Sequence, residues 1–470
     1  MGAPACPGCR ERDTRLVALE QRVVELEALV RDLLTRLGTN AANSSTPPSA
    51  NPLGAPKPVV KKKSRLRPGA QPGHRPHRKQ LLPPERVQET VVFVPQRCRQ
   101  CQARLPAEAG PNDPAPTRHQ VVELPPVIAQ VTEYQGHART CPCCGVVTHE
   151  PLPRELLSHG TGPRLTAALS YRSGCHGISK RGVEEIADHL FAAPVALGTV
   201  VNLEQEMSAA LAAPHQEALA AIQAAAVKHA DETSWKQRGK LCWLWTAATA
   251  TVAAFVIHGK RSALGLTALL GLEIQGILCS DRWGVYGRVP PERRQVCWAH
   301  LKRDFQKIVD RDGPSKFVGR RGLRLVKEVF AAWQAYQDGR VTRTQLQADM
   351  EPLAIRRERV LLEGAILGDD KKVAAFCENV LALEPALWTF VRTEGVEPTN
   401  NFMERLLRRA VLWRRRSFGC WSADGCRFVE RILTVVQTRR LQGENVLEYL
   451  HSALCAHRSG QSCPKLLPEG

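Results

Sequence analysis

Several common signatures are missing from this 470-residue sequence, and each gap narrows the chemistry. There is no glycine-rich P-loop, no nucleophilic serine triad and no Rossmann fingerprint. P-loop nucleotide hydrolysis, serine hydrolase chemistry and dinucleotide-dependent redox therefore have no support. The opening residues, Met1-Gly2-Ala3-Pro4-Ala5-Cys6, lack the basic-then-apolar order of a secretory signal. The longest apolar stretch, Leu241 to Ile257, is short for a membrane span. Its threonines and β-branched ends suit two adjacent buried strands. With no leader in view, the 16 cysteines are expected as thiols and metal ligands in a reducing cytosol rather than as disulfides. Acidic residues are also in deficit, 46 Asp and Glu against 65 Lys and Arg, a formal net charge of +19. That excess favours a polyanionic partner, through phosphate contacts and counterion release. Charge by itself does not separate DNA from RNA or a membrane surface.

What is present reads as several folded units, since the chain is too long for one core and 34 Gly and 33 Pro supply linkers. From Leu16 to Leu37 apolar residues recur in heptads, with Leu16, Val23, Val30 and Leu37 at a and Leu19, Leu26 and Leu33 at d. This predicts a short parallel coiled coil and a homodimer through residues 16–37; the alternative is an amphipathic helix packed on its own protein. Cys6 and Cys9 before it form half a zinc site at most, or stay free. Residues 39–85 keep no apolar period and carry Lys61, Lys62, Lys63, Arg65 and Arg67. They predict a flexible basic arm that tracks DNA phosphates, or a solvated linker. Residues 86–155 contain Cys98-x-x-Cys101 and Cys141-x-x-Cys144, a tetrahedral Cys₄ set for structural Zn²⁺, with Cys143 able to replace Cys144. Apolar runs at 121–124 and 128–134 are expected as strands closing a zinc ribbon. Residues 156–215 predict three helices, read as a helix-turn-helix that offers its third helix to the major groove, or as a plain helical bundle.

Past Ala225 the period changes. Val227 to Asp231 reads as a strand ending in a carboxylate, and Gly276 to Asp281 as an apolar strand ending the same way. Strand-end Asp residues also serve as helix caps, so the pair does not decide alone. A third acid, Glu404, follows on an amphipathic helix that begins after Pro398, sharing a face with Asn401 and Arg408 and opposite Phe402, Met403, Leu406 and Ala410. A surface glutamate in salt bridges is the bland reading of it. Three acids suit two Mg²⁺ (or Mn²⁺) ions in an in-line phosphoryl displacement. Asn401, Arg405, Arg408, Arg414, Arg415 and Arg416 are expected on DNA. His300, in Cys297-Trp298-Ala299-His300, supports catalysis by phosphate contact or proton transfer, or is a buried structural histidine. Residues 220–415 thus predict a ribonuclease-H-like mixed-sheet core with a helical insertion at about 313–395 that covers the DNA, followed by a helical region at 416–470. The expected class is multidomain α/β plus α.

With these residues in view, the sequence resembles the transposases of the insertion sequence 66 family along nearly its whole length. The resemblance rests on Asn43 to Ser49, Gly69 to His74, the paired-cysteine module, Asp231-Glu232-Thr233, Ser280-Asp281 with Tyr286, Cys297 to His300, Thr399 to Arg405 and Gly443 to Leu450. It implies a DDE transposase that binds terminal inverted repeats, frees 3′ ends and joins them to target DNA, with Asp231, Asp281 and Glu404 as its acids. It further implies a cytoplasmic, nucleoid-associated bacterial protein, with accessory proteins encoded by the same element among its partners. The sequence departs from the family pattern at Asn40 to Asn43, and at Arg414 to Arg416, where members often read Arg-Lys-Asn. Neither departure touches the three acids.

Overall fold

The computed structural model describes residues 7–37, 80–111, 113–311, 313–366 and 370–468. The arm residues Lys61, Lys62, Lys63, Arg65 and Arg67 lie outside that set, as does Cys6. By contacts the chain divides into residues 57–128 and a larger unit of 1–56 with 129–470. The expected 86–155 module is therefore split between the two.

In the smaller unit, Gln120 clamps Leu82 through both of its backbone groups, at 2.7 and 3.0 Å. A one-pair bridge, Arg97 to Arg104, frames Cys98 and Cys101. The strands expected over 121–134 do not form. Pro125 and Pro126 remove two ladder donors there, and Val121, Val122 and Leu124 stay exposed.

The larger unit starts with α1 (Pro7–Leu37), whose heptad residues Leu16, Leu19, Val23, Leu26, Val30, Leu33 and Leu37 are all exposed. A hairpin, β1 (Ala138–Thr140) and β2 (Val147–His149), flanks Cys141 to Cys144. Helices α2 (Arg154–Leu157), α3 (Pro163–His176), α4 (Lys180–Phe191), α5 (Leu197–Ala210) and α6 (Ala212–Ala224) follow.

The sheet has five strands in the order β5-β4-β3-β6-β7. Strands β3 (Val227–Gln237), β4 (Lys240–Ala248) and β5 (Ala253–His258) form an antiparallel meander. Arg238 and Gly239 both take positive φ, 51° and 75°, as a two-residue hairpin turn requires. The chain crosses over through α7 (Ala263–Leu270), and β6 (Ile277–Ser280) and β7 (Arg294–Val296) then add in parallel. The two strands expected within Leu241 to Ile257 are β4 and β5.

Next come α8 (Trp298–Asp310) and the helical insertion: α9 (Lys316–Gln337), α10 (Arg343–Ile366), α11 (Lys371–Ala382), α12 (Glu384–Leu387) and α13 (Thr389–Arg392). These pack around Phe305, Val326, Leu361 and Phe390 in a core that also takes in Cys279 and Val296 of the sheet. The chain returns to the sheet in α14 (Asn401–Ser417), α15 (Ala423–Leu441) and α16 (Val446–Arg458).

Two expected boundaries are absent. Residues 156–215 and 416–470 are not separate domains: Ala167, Met207, Ile432 and Leu450 share one core with Ala230 and Trp245 of the sheet. Helix α5 buries Val200, Leu203 and Met207, and its exposed positions are Leu197, Gly198, Val201, Asn202, Gln205 and Ala209. No cation stands on that face to meet a phosphate.

Helix α15 also resolves an edge problem. The outer side of β5 has free N–H groups that would recruit another strand. Glu430, Thr434 and Thr438, one helical turn apart, accept from Ile257 N (2.6 Å), Phe255 N (3.0 Å) and Ala253 N (3.1 Å). Alternate strand residues thus match successive turns of the helix.

Candidate active site where β6 ends beside β3

Parallel pairing between β3 and β6 covers only Val227–His229 with Ile277–Cys279. Beyond it, β3 continues to Gln237 because β4 keeps pairing on its other side. Asp231 is thus inside a strand rather than at its end, just past the point where β6 stops. Asp281 is the first residue after β6. One oxygen of each is held by a backbone amide: Asp231 Oδ1 accepts from Glu232 N at 2.9 Å, and Asp281 Oδ1 from Trp283 N at 2.9 Å.

Glu404 lies in the first turn of α14, whose start is pinned to the sheet by Asn400. Buried Asn400 donates from Nδ2 to Ala230 O (2.9 Å), accepts on Oδ1 from His229 Nδ1 (2.9 Å) and donates its N–H to Cys297 Sγ (3.1 Å). Trp298 N donates to Pro398 O at 2.9 Å, which ties the start of α8 to the same turn.

The electrostatics couple these groups. Burial, followed by Glu232, Asp281 and Glu404, holds the Asp231 carboxyl well above the usual carboxylate range. Asp281 is raised by burial too, offset by the Trp283 amide and by Arg261, Arg294 and Arg282. Still, no three His, Cys, Asp or Glu side chains among the described residues form a group set to hold a metal ion. Like-charged carboxylates repel, and Glu404 Oε1 instead accepts from Arg303 Nη2 at 2.7 Å. The donor chemistry nevertheless fits a hard divalent cation. It is all oxygen, and Asp231 is raised by carboxylates whose repulsion such a cation would relieve.

His300 is half-buried, and its Nε2 faces the same Arg303 Nη2 at 3.0 Å. Burial, Arg303 and Arg282 push it down to about 3, so the ring is neutral at physiological pH. Its Nδ1 is buried without a hydrogen-bond partner.

On α14, Met403, Leu406, Leu407 and Ala410 face the core, while Asn401, Glu404, Arg405, Arg408 and Arg409 are exposed, as the helical period anticipates. Arg415 and Arg416 are exposed as well. Arg414 is not a free surface cation: its Nη1 donates to Thr233 Oγ1 (3.0 Å) and Ser234 Oγ (2.7 Å), which locks α14 to β3.

Sequence reasoning missed the network around Glu232. Strand alternation turns Glu232 away from Asp231 toward the interior, where its side chain is 1% exposed. It accepts from Tyr286 Oη (2.5 Å) and from Arg261 Nε and Nη2 (2.9 and 2.6 Å). Arg261 lies over the Trp283 ring at 4.1 Å, next to the amide that holds Asp281. A charged residue on the inward parity of a buried strand was the available signal.

The cysteine knuckles, each taken by itself, repeat one geometry. Cys98 N donates to Ala103 O and Gln102 N to Cys98 O; Cys141 N donates to Val146 O and Gly145 N to Cys141 O. Gln102 and Gly145 both take positive φ, 61° and 71°. In both loops backbone amides turned on the first sulfur lower its thiol, those of Cys101 and Gln100 for Cys98 and those of Cys144 and Cys143 for Cys141.

Among the described residues no helix is long and apolar enough to cross a membrane. Comparison with known proteins matches residues 160–427 to the family described as Transposase IS66 family. Residues 9–80 match a family of unknown function (DUF6444). An uncharacterized protein, y4qI, of Sinorhizobium fredii is 23% identical over 193 residues, 38% of this chain and 35% of that protein. The match thus spans about a third of that relative's length.

Proposed function

Because the chain belongs to the transposase IS66 family, we propose that it binds the terminal inverted repeats of an insertion sequence, frees their 3′ ends and joins them to target DNA in a metal-dependent reaction. The observation that carries this reading is the placing of Asp231, just past the β6-paired stretch of β3, beside Asp281 at the end of the parallel neighbour β6, with Glu404 on a helix docked by Asn400. Three antiparallel strands followed by two parallel ones, in the order β5-β4-β3-β6-β7, support a ribonuclease-H-like core.

In this reading Asp231, Asp281 and Glu404 hold Mg²⁺ or Mn²⁺. The ion, when bound, supplies Lewis acidity and a more acidic water or 3′-hydroxyl for in-line attack. Glu404 joins the aspartates by leaving Arg303, whose guanidinium then becomes available to a phosphate oxygen. Arg405, Arg408, Arg415 and Arg416 track the DNA backbone along α14, beside Asn401 at its start. Arg414 holds the helix in place. Neutral His300 keeps Arg303 oriented toward the acids.

Each knuckle by itself, Cys98 with Cys101 and Cys141 with Cys144, offers a pair of thiols of the kind that ligates structural zinc. The exposed heptad stripe of α1 supports pairing with a second copy of the chain.

The test is strand cleavage and joining on DNA carrying the element's ends, with Mg²⁺ or with EDTA. Asp231→Asn, Asp281→Asn and Glu404→Gln are each expected to abolish both steps while DNA binding persists. Wild-type binding without metal-dependent chemistry would refute the catalytic reading.

A further inference from the structure

Helix α14 ends in an unusual way. Its C-cap, Phe418, sits in the left-handed region at φ 59°, a position normally given to glycine, while glycine stands one residue later. A bulky side chain is disfavoured there. The reason for the order lies in Gly419: a β-carbon on it would meet Lys236 O at 2.2 Å, so that position must be glycine. Cys420 N donates to Lys236 O at 2.8 Å and Arg238 N to Cys420 O at 3.0 Å, which staples the 418–421 loop to the β3–β4 turn.

This anchored loop turns two aromatic rings into solvent. Phe418 is 75% exposed and Trp421 76% exposed. Of the nine tryptophans, Trp421 alone is exposed. The surroundings are cationic, with Arg415 and Arg416 in the last helical turn and Lys236 and Arg238 on the stapled hairpin, all exposed. The acid closest in sequence, Asp424, is already paired with Arg427. Apolar rings on a rigid backbone within a basic rim complement a polyanion that also carries flat apolar faces. Unpaired nucleotides meet that description, whereas a paired duplex keeps its base faces stacked internally.

We propose that Phe418 and Trp421 form a stacking platform for unpaired nucleotides of the DNA that lies along α14. The inference rests on the DNA reading above and adds a strand-state preference to it. At 1.5 Å per residue the platform stands roughly 20 Å from Glu404 along the helix, or about six base pairs of B-DNA. It would grip a melted or single-stranded stretch at that remove from the reacting phosphate.

Fluorescence anisotropy with the full chain tests this, using a labelled duplex with a short unpaired thymidine segment and a fully paired duplex of the same length. Wild type is expected to prefer the partly unpaired DNA. Phe418→Ala and Trp421→Ala each lower that affinity about tenfold, leave paired-duplex binding unchanged, and abolish the preference when combined. Trp421→Tyr retains it, since an aromatic face remains. Equal loss on both DNAs, or a preference surviving in the double variant, overturns the platform alone. Loss of self-association in sedimentation, with DNA preference intact, overturns it in favour of a contact between copies. Wild type that binds neither DNA overturns the DNA reading together with the platform.

Discussion

Glu430 offers a direct measure of how the edge of the sheet is closed. Burial raises its carboxyl from 4.5 to about 7, offset in part by the Ile257 amide that it accepts. A carboxyl raised in the folded state binds its proton more tightly there than in the unfolded chain. Its contribution therefore favours folding at low pH and is lost as pH rises through the folded value. With 4.5 unfolded and about 7 folded, the loss between pH 5 and pH 8 is about 2.5 kcal/mol. Glu430→Gln keeps an acceptor oxygen for Ile257 N–H and removes the titration. Denaturation at both pH values should find the variant's stability advantage over wild type larger at pH 8 than at pH 5 by about 2.5 kcal/mol. An equal difference at the two pH values, or a wild-type stability that rises from pH 5 to pH 8 relative to the variant, would refute the assignment.

Three further outcomes follow from the same geometry. Asn400→Ala leaves Ala230 O and His229 Nδ1 without their partners in the core, so it should cost about 3 kcal/mol in denaturation. It should also reduce DNA joining, because the start of α14 and Glu404 lose their anchor; unchanged stability would contradict the pinning role. Elemental analysis should find about one zinc per chain, removable by chelator and reduced in Cys98→Ser, whereas a zinc content unaffected by that substitution would remove this knuckle from the ligand set. Leu19→Ala with Leu26→Ala should weaken self-association in sedimentation at fixed concentration, since both residues belong to the exposed heptad stripe of α1; an unchanged sedimentation profile would exclude pairing through it.

Local chemistry made much of this protein legible from its sequence. The heptads of α1, the helical insertion and the inward and outward faces of α14 follow from side-chain period, which reports how one element divides between water and core. Strand-end acids were legible because apolar runs stop at a charge, although Asp231 proved to lie inside its strand. That error has a physical source: a strand continues for as long as one neighbour keeps bonding to it, and β4 does so through Gln237.

Other features depended on partners far away along the chain. Arg414 reads as a surface cation until Thr233 and Ser234 are brought beside it. Glu232 is only the residue after Asp231 in the sequence until Tyr286 and Arg261 enclose it. The helices at 156–215 resemble a separate domain until α15 and α16 fill the space between them and the sheet. Sequence alone determined which residues could be buried, charged or metal-binding, because those are properties of single side chains and their spacing. Tertiary structure decided which charges meet, which edge is covered and which arginines of α14 stay exposed, because a hydrogen bond or ion pair exists only where folding brings both partners within about 3 Å of each other.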